Sequence, residues 1–445
     1  MAKDMTTGKI TPLLISFTIP LVMGNIFQLL YNAVDSIIVG KFVGEEALAA
    51  VGTSNPLVTL IILFISGLCM GAGILMGMLY GAKDYEKLQR QISSTMIGGL
   101  LFSIAVTMIA VILAPCLLRM MQADESVMDT AVAYLRIILL GLIFTFIYNF
   151  YASVLRALGD SKTPLYFLAI SSVINIIGDL FFVMVLHMGS NGCAWATVIS
   201  EGISCLLCGI YIKRKIPVLC LGKKWFVFDK ALFYQTVQYG WTSAMQQATV
   251  QLGKLGIQVI VNTMGVSAMA AFAAVNRIDD FAYTPQQNIA HAMTSLLAQN
   301  KGAGKKERIK EGFRCGMKIE LVYGGIICLI CLYFARPLME LFATEEEVID
   351  FGVQYLHLIA FMYLLPAATN GIQGFFRGIG DLKVTLLSSF TNMGVRVLAA
   401  IPLVFACKLG MTALPLSYMC GWAAMLIVEV PLLIRQWRSK KESSK

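Results

Sequence analysis

The chain of 445 residues is 58% hydrophobic and only 14% charged, and its mean hydropathy is +0.74. Soluble globular chains carry about 25% charged residues, so this composition excludes an ordinary soluble protein. The net charge of +9 lies in short segments between long apolar stretches, without a basic face interleaved with aromatic residues. The charge therefore points to membrane topology and anionic lipid, and nucleic acid is excluded as a partner.

Twelve stretches are apolar and long enough to cross a bilayer, since a spanning helix needs about 20 mostly apolar residues. In chain order they are 12–39, 54–80, 92–118, 131–155, 165–187, 191–212, 237–263, 270–298, 315–334, 351–376, 384–407 and 410–434. The eighth is the weakest, because the polar run Tyr283–Asn288 interrupts its apolar pattern. The pattern predicts an all-α membrane protein with twelve transmembrane helices.

Lysine and arginine are distributed unevenly between the two sides of these predicted spans. If the N-terminus lies inside, the inner segments carry 26 of the 35 Lys and Arg residues. The outer segments carry only Lys41, Arg119, Arg336 and Lys408. Basic residues are retained on the cytoplasmic side of membranes. We therefore expect a multi-pass protein of the cell (inner or plasma) membrane with both termini in the cytoplasm.

The chain contains an internal repeat with a constant offset of 221 residues. At this offset Gly44–Ala50 lies over Gly265–Ala271, and Arg156-Ala-Leu-Gly-Asp160 lies over Arg377-Gly-Ile-Gly-Asp381. A fixed period of this kind indicates duplicated structural units. Because each unit has an even number of spans, both enter the membrane from the same side, which gives a 6+6 parallel repeat.

The repeat predicts three segments. They are an N-terminal six-helix lobe (1–212), a basic cytoplasmic linker (213–236), and a C-terminal six-helix lobe with a cytoplasmic tail (237–445). Two homologous bundles are typical of an alternating-access carrier. The sequence has no phosphate-binding loop, metal motif or Ser/His/Asp order, so we expect no enzyme activity and no cofactor. An ion gradient would then drive uphill transport of small molecules. A monomer is the expected state for this architecture.

Polar residues inside the first and fifth spans form the strongest functional signal. The first span carries Asn25, Gln28, Asn32 and Asp35 at helical spacing, and the fifth carries Ser171, Asn175 and Asp179. Such spacing places each set on one helix face, and polar groups within spans usually mark function. The two carboxylates could bind protons, hold a sodium ion with neighbouring oxygens, or make structural hydrogen bonds only. Pro20 removes a backbone hydrogen bond and predicts a kink in the first span.

The second half differs at the equivalent positions. Asp35 corresponds to Gly256, Asn175 to Arg396, and Asp179 to Ala400, so both carboxylates are lost there. Lys254 lies beside the polar stripe of the seventh span, which consists of Gln247, Gln251, Gln258 and Asn262. Lys254 and Arg396 suit polar or anionic groups of a substrate. Alternatively, either could pair structurally with Asp279 or Asp280.

Several motifs together resemble the multidrug and toxic compound extrusion (MATE) family, and the similarity covers essentially the whole chain. The motifs are Pro20 followed by Gln28–Asp35, Ala47–Gly52, Arg156–Asp160, Asn175-Ile-Ile-Gly-Asp179 and Gly192–Thr197. The resemblance implies proton- or sodium-driven export of diverse organic compounds, often cationic or amphipathic and including drugs. The seventh span has no carboxylate, so the chain looks closer to the DinF-like branch.

The resemblance also implies roles for individual residues. The coupling cation, a proton or sodium ion, would bind at Asp35, Asn175, Asp179 and Thr197. The substrate cavity would include Gln28, Asn32, Asn149 and Ser172, with Gln251, Lys254 and Arg396 as candidates from the second half. The main alternative is a flippase for polyprenyl-linked sugars, which Lys254 and Arg396 favour and the first-half carboxylates disfavour.

Overall fold

The structure is a computed structural model that describes residues 4–121, 124–216 and 226–442, and these ranges contain helices and connecting turns without a β-strand. The first half contains α1 (Ile10–Ile38), α2 (Glu45–Gly81), α3 (Tyr85–Met120), α4 (Glu125–Ala157), α5 (Lys162–Leu180) and α6 (Ser190–Lys215). The second half contains α7 (Lys230–Asn262), α8 (Val266–Gly302), α9 (Lys306–Tyr333), α10 (Ala335–Glu340), α11 (Glu346–Ala360), α12 (Leu364–Gly378), α13 (Leu382–Phe405) and α14 (Ala413–Glu442).

The helices account for the predicted spans. Ten helical segments of the described chain are long and apolar enough to cross a membrane, and one of them joins α11 and α12 across a short 3-10 turn. Helices α7 and α8 have 33 and 37 residues, long enough to span, but they are not among these ten segments. The predicted all-α membrane fold with two repeats is confirmed.

The eighth predicted span is the weakest candidate because the polar run Tyr283–Asn288 interrupts its apolar pattern, and the segment is nevertheless one continuous helix. Helix α8 runs through this segment with Pro285 inside it. Two amides of the run are buried, Gln286 and Asn288, so the helix satisfies its backbone internally and turns these side chains into the protein. Helix α1 likewise continues through Pro20.

Equivalent turns in the two halves have nearly the same backbone. Gly44 begins α2 with φ 119° and ψ 174°, and Gly265 begins α8 with φ 97° and ψ 168°. Such positive φ values are accessible to glycine at little cost. The duplication seen in the sequence is therefore present in the local geometry of the chain.

The described chain forms two compact units. The first contains Met1–Met5 and Ile19–Ala244, and the second contains Thr6–Thr18 and Met245–Lys445. The start of α1 thus belongs to the second unit and the start of α7 to the first. The predicted lobes 1–212 and 237–445 describe the duplication, and their boundaries and the linker 213–236 stay a prediction. Pro20 lies where α1 passes from one unit to the other.

Each unit has its own apolar core. In the first unit Phe146 and Phe150 of α4 pack among buried aliphatic side chains of α2, α3 and α6. In the second unit Tyr355, Tyr363 and Trp422 lie in a core with residues of α7, α8 and α13. Close approach also uses polar contacts, since Ser153 Oγ donates to the Cys69 carbonyl at 2.6 Å. Small residues and such bonds stabilise helix contacts where lipid removes the hydrophobic driving force.

Candidate functional site

Helices α1, α5 and α6 bring two carboxylates together inside the first unit. Asp35 lies near the end of α1 and Asp179 near the end of α5, and Cys193 lies in the first turn of α6. One ligand atom from each of the three residues lies within 4.8 Å of the others. The sequence predicted the two acids, and the spatial contribution of Cys193 was not foreseen.

Asn175 and Thr197 complete this group. Asn175 lies one turn before Asp179 on α5, and its Nδ2 donates to Thr197 Oγ1 at 3.3 Å. The Tyr31 hydroxyl lies 3.4 Å from the same Thr197 oxygen. The structure therefore brings all four predicted cation-site residues together. Tyr31 was missed, although its position one turn before Asp35 placed it on the polar face of α1.

The oxygen atoms at this site are poorly satisfied. Within the described ranges, Asp35 Oδ1, Asn175 Oδ1 and both carboxylate oxygens of Asp179 are buried without a hydrogen-bond donor by geometric criteria. The Asp35 carboxyl and the Cys193 thiol lie beside the Asp179 carboxylate. Buried acceptors without donors are costly. A proton shared between the acids, or a cation held by these oxygens, would supply the missing partner.

The backbone beside both acids departs from regular α-helix. A π-helical stretch, Val39–Val43, begins one turn after Asp35, and a second, Phe181–Val185, begins two residues after Asp179. The two stretches contact each other and α6. Isolated π turns occur frequently at functional sites. Their placement gives an independent structural signal at the carboxylate pair.

A third carboxylate lies one turn further along α6, and the sequence analysis did not select it. Glu201 is half-buried, and its Oε2 accepts a hydrogen bond from Thr145 Oγ1 at 2.5 Å. It follows Thr197 by four residues, a spacing that places both on one face of α6. The four-residue spacing from Thr197 could therefore have identified Glu201 as a candidate site residue from the sequence.

The predicted substrate residues of the first half have different environments. Gln28 and Asn32 are exposed on α1, on the same face as Asp35. Asn149 Nδ2 donates to the Thr145 carbonyl at 2.8 Å, and Ser172 Oγ donates to the Leu168 carbonyl at 2.9 Å. The latter two side chains therefore make bonds within their own helices, whereas Gln28 and Asn32 keep amides available on the exposed face.

The two cationic candidates of the second half both have partners within their own unit. Lys254 Nζ lies 3.7 Å from Asp280 Oδ1, and both side chains are more than half exposed. Arg396 is buried, and its Cζ lies 3.9 Å from the ring centroid of Tyr418 and 5.1 Å from that of Trp422. Gln251 is half-buried on α7. The alternative of a structural Lys254–Asp280 pair is thus observed.

Comparison with known proteins identifies the family. The MatE family model matches residues 20–181 and again 243–401, one match in each half. The chain is 30% identical over 435 residues to the probable multidrug resistance protein YoeA of Bacillus subtilis, covering 96% of this chain and 94% of that protein. It is also 30% identical to the probable multidrug resistance protein YpnP of the same organism, with 88% of each chain covered.

A solved structure of MATE in the bent conformation superimposes with a TM-score of 0.93, at 23% identity, covering 99% of this chain and 98% of that one. At this identity the likeness shows the fold. The two matches of one family model agree with the 221-residue repeat and with the equivalent turns of the two halves. The chain therefore belongs to the MatE family of multi-helix membrane transporters and is not an enzyme.

Proposed function

We propose that this protein is a cation-coupled antiporter that exports organic compounds, often cationic or amphipathic and including drugs, by alternating access. The observation that carries the proposal is the cluster of two carboxylates, an amide and a hydroxyl in the first unit, with buried oxygens that have no donor among the described residues. Multidrug resistance proteins among its relatives support the substrate class.

Asp35, Asn175, Asp179 and Thr197 bind the coupling ion, which is a proton or a sodium ion. Protonation neutralises one carboxylate, whereas sodium requires several oxygen ligands, and this cluster offers both. Exchange requires that ion and substrate favour different conformations or compete for one site. Binding of the ion next to two π-helical stretches would repack the ends of α1 and α5 and so favour substrate release.

Substrate contacts come from Gln28, Asn32, Asn149 and Ser172, with Gln251, Lys254 and Arg396 from the second half. Pro20 acts as the hinge of α1, because this proline lacks a backbone donor and lies where the helix passes between the two units. The absence of a carboxylate from Lys230–Asn262 favours the DinF-like branch of the family. We further propose a monomer in the cell membrane with both termini in the cytoplasm, as the distribution of Lys and Arg predicts.

The test is efflux of a fluorescent cationic dye from proteoliposomes under separately imposed proton and sodium gradients. We expect one gradient to drive export by the wild-type protein, and expect Asp35→Asn and Asp179→Asn to abolish that export while remaining folded. Asp84→Asn is the matched control, since it makes the same chemical change outside the spans and Asn still caps a helix.

Normal gradient-driven export by both aspartate variants would refute the ion-site assignment. If the folded wild-type protein moves no dye under either gradient, the flippase for polyprenyl-linked sugars becomes the better hypothesis. The partners of Lys254 and Arg396 within their own unit weaken that alternative, because both charges are already compensated or stacked.

A further inference from the structure

The middle of α9 carries a carboxylate that the proposed antiport mechanism does not use. Glu320 has no exposed surface, and both of its oxygens are buried without a hydrogen-bond partner in the described part of the chain. The described part of the chain shows no ion pair between Glu320 and a Lys, Arg or His. A lone ionised carboxylate at this depth is costly, so the site favours a neutral side chain.

Helices α8 and α12 pack against the face of α9 that carries Glu320. A Cβ atom placed on Gly371 of α12 would lie 3.9 Å from Glu320 Cγ. One turn further along α9, a Cβ atom on Gly324 would lie 3.4 Å from Gln286 Nε2 of α8 and 3.1 Å from the Tyr363 carbonyl oxygen. Glu320 therefore faces the seam between these two helices.

The amides along this seam are also incompletely paired. Gln286 has no exposed surface; its Nε2 donates to the Tyr363 carbonyl at 3.3 Å, and its Oε1 has no donor among the described residues. Asn370 is buried beside Gly371; its Oδ1 accepts from the Tyr283 hydroxyl at 3.4 Å, and its Nδ2 has no acceptor within the same ranges. One amide thus lacks a donor and the other lacks an acceptor.

A protonated carboxylic acid has the complementary set of groups. Its O–H is a donor and its carbonyl oxygen an acceptor, so a change of side-chain rotamer would let it pair with Gln286 Oε1 and Asn370 Nδ2, to neither of which it is bonded in the structure. The ionised form has acceptors only and would leave the Gln286 oxygen without a donor. Among the described residues, Tyr283 on α8 and Tyr323 on α9 are titratable groups within electrostatic range of Glu320. The hydroxyl of Tyr363 is occupied by Asp279.

The first half fills the equivalent volume with apolar groups. Glu320 corresponds to Gly99 at the 221-residue offset, and Gln286 corresponds to Ile65. A Cβ atom on Gly99 would lie 2.1 Å from Phe146 Cζ, so the phenylalanine ring occupies this space, and its counterpart in the second half is Ala367. The fold thus accommodates this seam without any acid. Glu320 and Gln286 are specific to the second half, whereas Asn370 has a counterpart in Asn149 of the first half.

We propose that Glu320, with Gln286 and Asn370, forms a second proton-binding site on α8, α9 and α12, separate from the carboxylate pair of the first half. The bound proton lies on a Glu320 oxygen and is donated in a hydrogen bond to Gln286 Oε1. Release leaves the carboxylate and returns one proton to solvent. The inference does not depend on the antiport proposal, because it concerns proton binding by the folded chain and not transport.

Infrared spectroscopy of the full-length protein in lipid tests the site. The background carries Asp35→Asn, Asp179→Asn and Glu201→Gln, so the three acids of the first-half site contribute no carboxylic-acid band, and the pH is varied with and without Glu320→Gln. We expect one carbonyl band of a protonated carboxylic acid to disappear as the pH rises, and we expect Glu320→Gln to remove that band. If the variant removes no band, Glu320 is ionised; if the removed band is independent of pH, its proton does not exchange. Either result overturns the proposal.

If Glu320→Gln does not fold, the variant Gln286→Ile provides a second test of the proposed hydrogen bond. Gln286→Ile introduces the residue that the first half has at this position and removes the acceptor of the O–H bond. The Glu320 carbonyl band should then shift to higher frequency, whereas Asp280→Asn, which changes an exposed acid on the same helix, should leave it in place. An unshifted band in Gln286→Ile would contradict the proposed hydrogen bond.

Discussion

The two halves of the chain place different groups at equivalent helix positions. Asn175 and Thr197 of the first half correspond to Arg396 and Tyr418 of the second, at the 221-residue offset. In the first half these positions adjoin two carboxylates with unpaired oxygens. In the second half the Arg396 guanidinium stacks on the Tyr418 ring, with Cζ 3.9 Å from the ring centroid. The positive charge there is therefore part of a protein side chain.

The two halves also differ one helical turn further along α6 and α14. Glu201 follows Thr197 in the first half, and its counterpart Trp422 forms the second ring beside Arg396. A few substitutions on a common backbone therefore convert a group of oxygen ligands into an aromatic box around a side-chain guanidinium. Under the proposed function, the first half has a site that exchanges its cation, whereas the second half has a side-chain guanidinium at these positions.

The largest expected effect comes from placing the second-half cation in the first half. Asn175→Arg would put a guanidinium beside Asp35 and Asp179, where it compensates one of the two negative charges and lowers the affinity of the pair for a mobile ion. We expect gradient-driven dye efflux from proteoliposomes to fall to the level measured without a gradient. Asn175→Gln, which enlarges the side chain without adding charge, should retain more export. Equal export by the two variants would show that charge at this position is irrelevant.

The reverse change removes the attached cation from the second half. Arg396→Asn should lower the free energy of unfolding by about 2 kcal/mol, because a desolvated cation–π contact of this kind is lost. Thermal unfolding in lipid measures the effect. Arg396→Lys keeps the charge but loses planar stacking, and should cost less. Wild-type stability in Arg396→Asn would mean that the stacked arginine does not hold α13 against α14.

The sequence alone predicted much of this difference between the halves, because helical periodicity shows which residues share a helix face. Asp35 and Asp179 stood out because polar residues spaced three or four apart share a helix face. The offset then identified Arg396 as the counterpart of Asn175. Periodicity does not say which helices are neighbours, so the approach of Cys193 to both acids and the stacking of Arg396 on Trp422 required the fold.

Other residues escaped prediction because their own segments carry little signal. Glu320 is a single acid between apolar turns of α9, and its meaning depends on Gln286 and Asn370, which lie on other helices. The polar run Tyr283–Asn288 interrupts the apolar pattern of its span, and α8 is nevertheless continuous there. Polar residues within a span report the environment of the helix face and do not by themselves interrupt the helix.

A smaller effect is expected at the Tyr31 hydroxyl, whose second-half counterpart is Leu252. Tyr31→Phe removes the contact with Thr197 Oγ1 at 3.4 Å and should weaken ion binding by about 1 kcal/mol, or about fivefold. The coupling-ion concentration that gives half-maximal efflux measures this change. Leu252→Phe makes an aromatic substitution at the equivalent position of the other half and should not alter it. An unchanged ion dependence in Tyr31→Phe would exclude Tyr31 from the site.

The smallest effect concerns the starts of α3 and α9, where the backbone is the same and the cap differs. Asp84 (φ −83°, ψ 72°) accepts the Lys87 backbone N–H at 3.1 Å, whereas its counterpart Lys305 (φ −82°, ψ 74°) has no side-chain cap and donates to the Thr6 carbonyl at 2.8 Å. Asp84→Ala should therefore cost about 0.5 kcal/mol, the low end for a cap, because the carboxylate is partly exposed.

The pH dependence of the stability loss in Asp84→Ala distinguishes a lost helix cap from a simple loss of packing. The hydrogen bond from the Lys87 backbone N–H, aided by the Lys87 ammonium, lowers the pKa of Asp84, so its contribution is present above the ordinary aspartate range and is lost as the pH falls through the lowered pKa. The difference in thermal stability between wild type and Asp84→Ala should accordingly shrink below about pH 4. A difference that stays constant over this range would mean that the ionised carboxylate does not cap α3, and that the two halves begin these helices with equal stability.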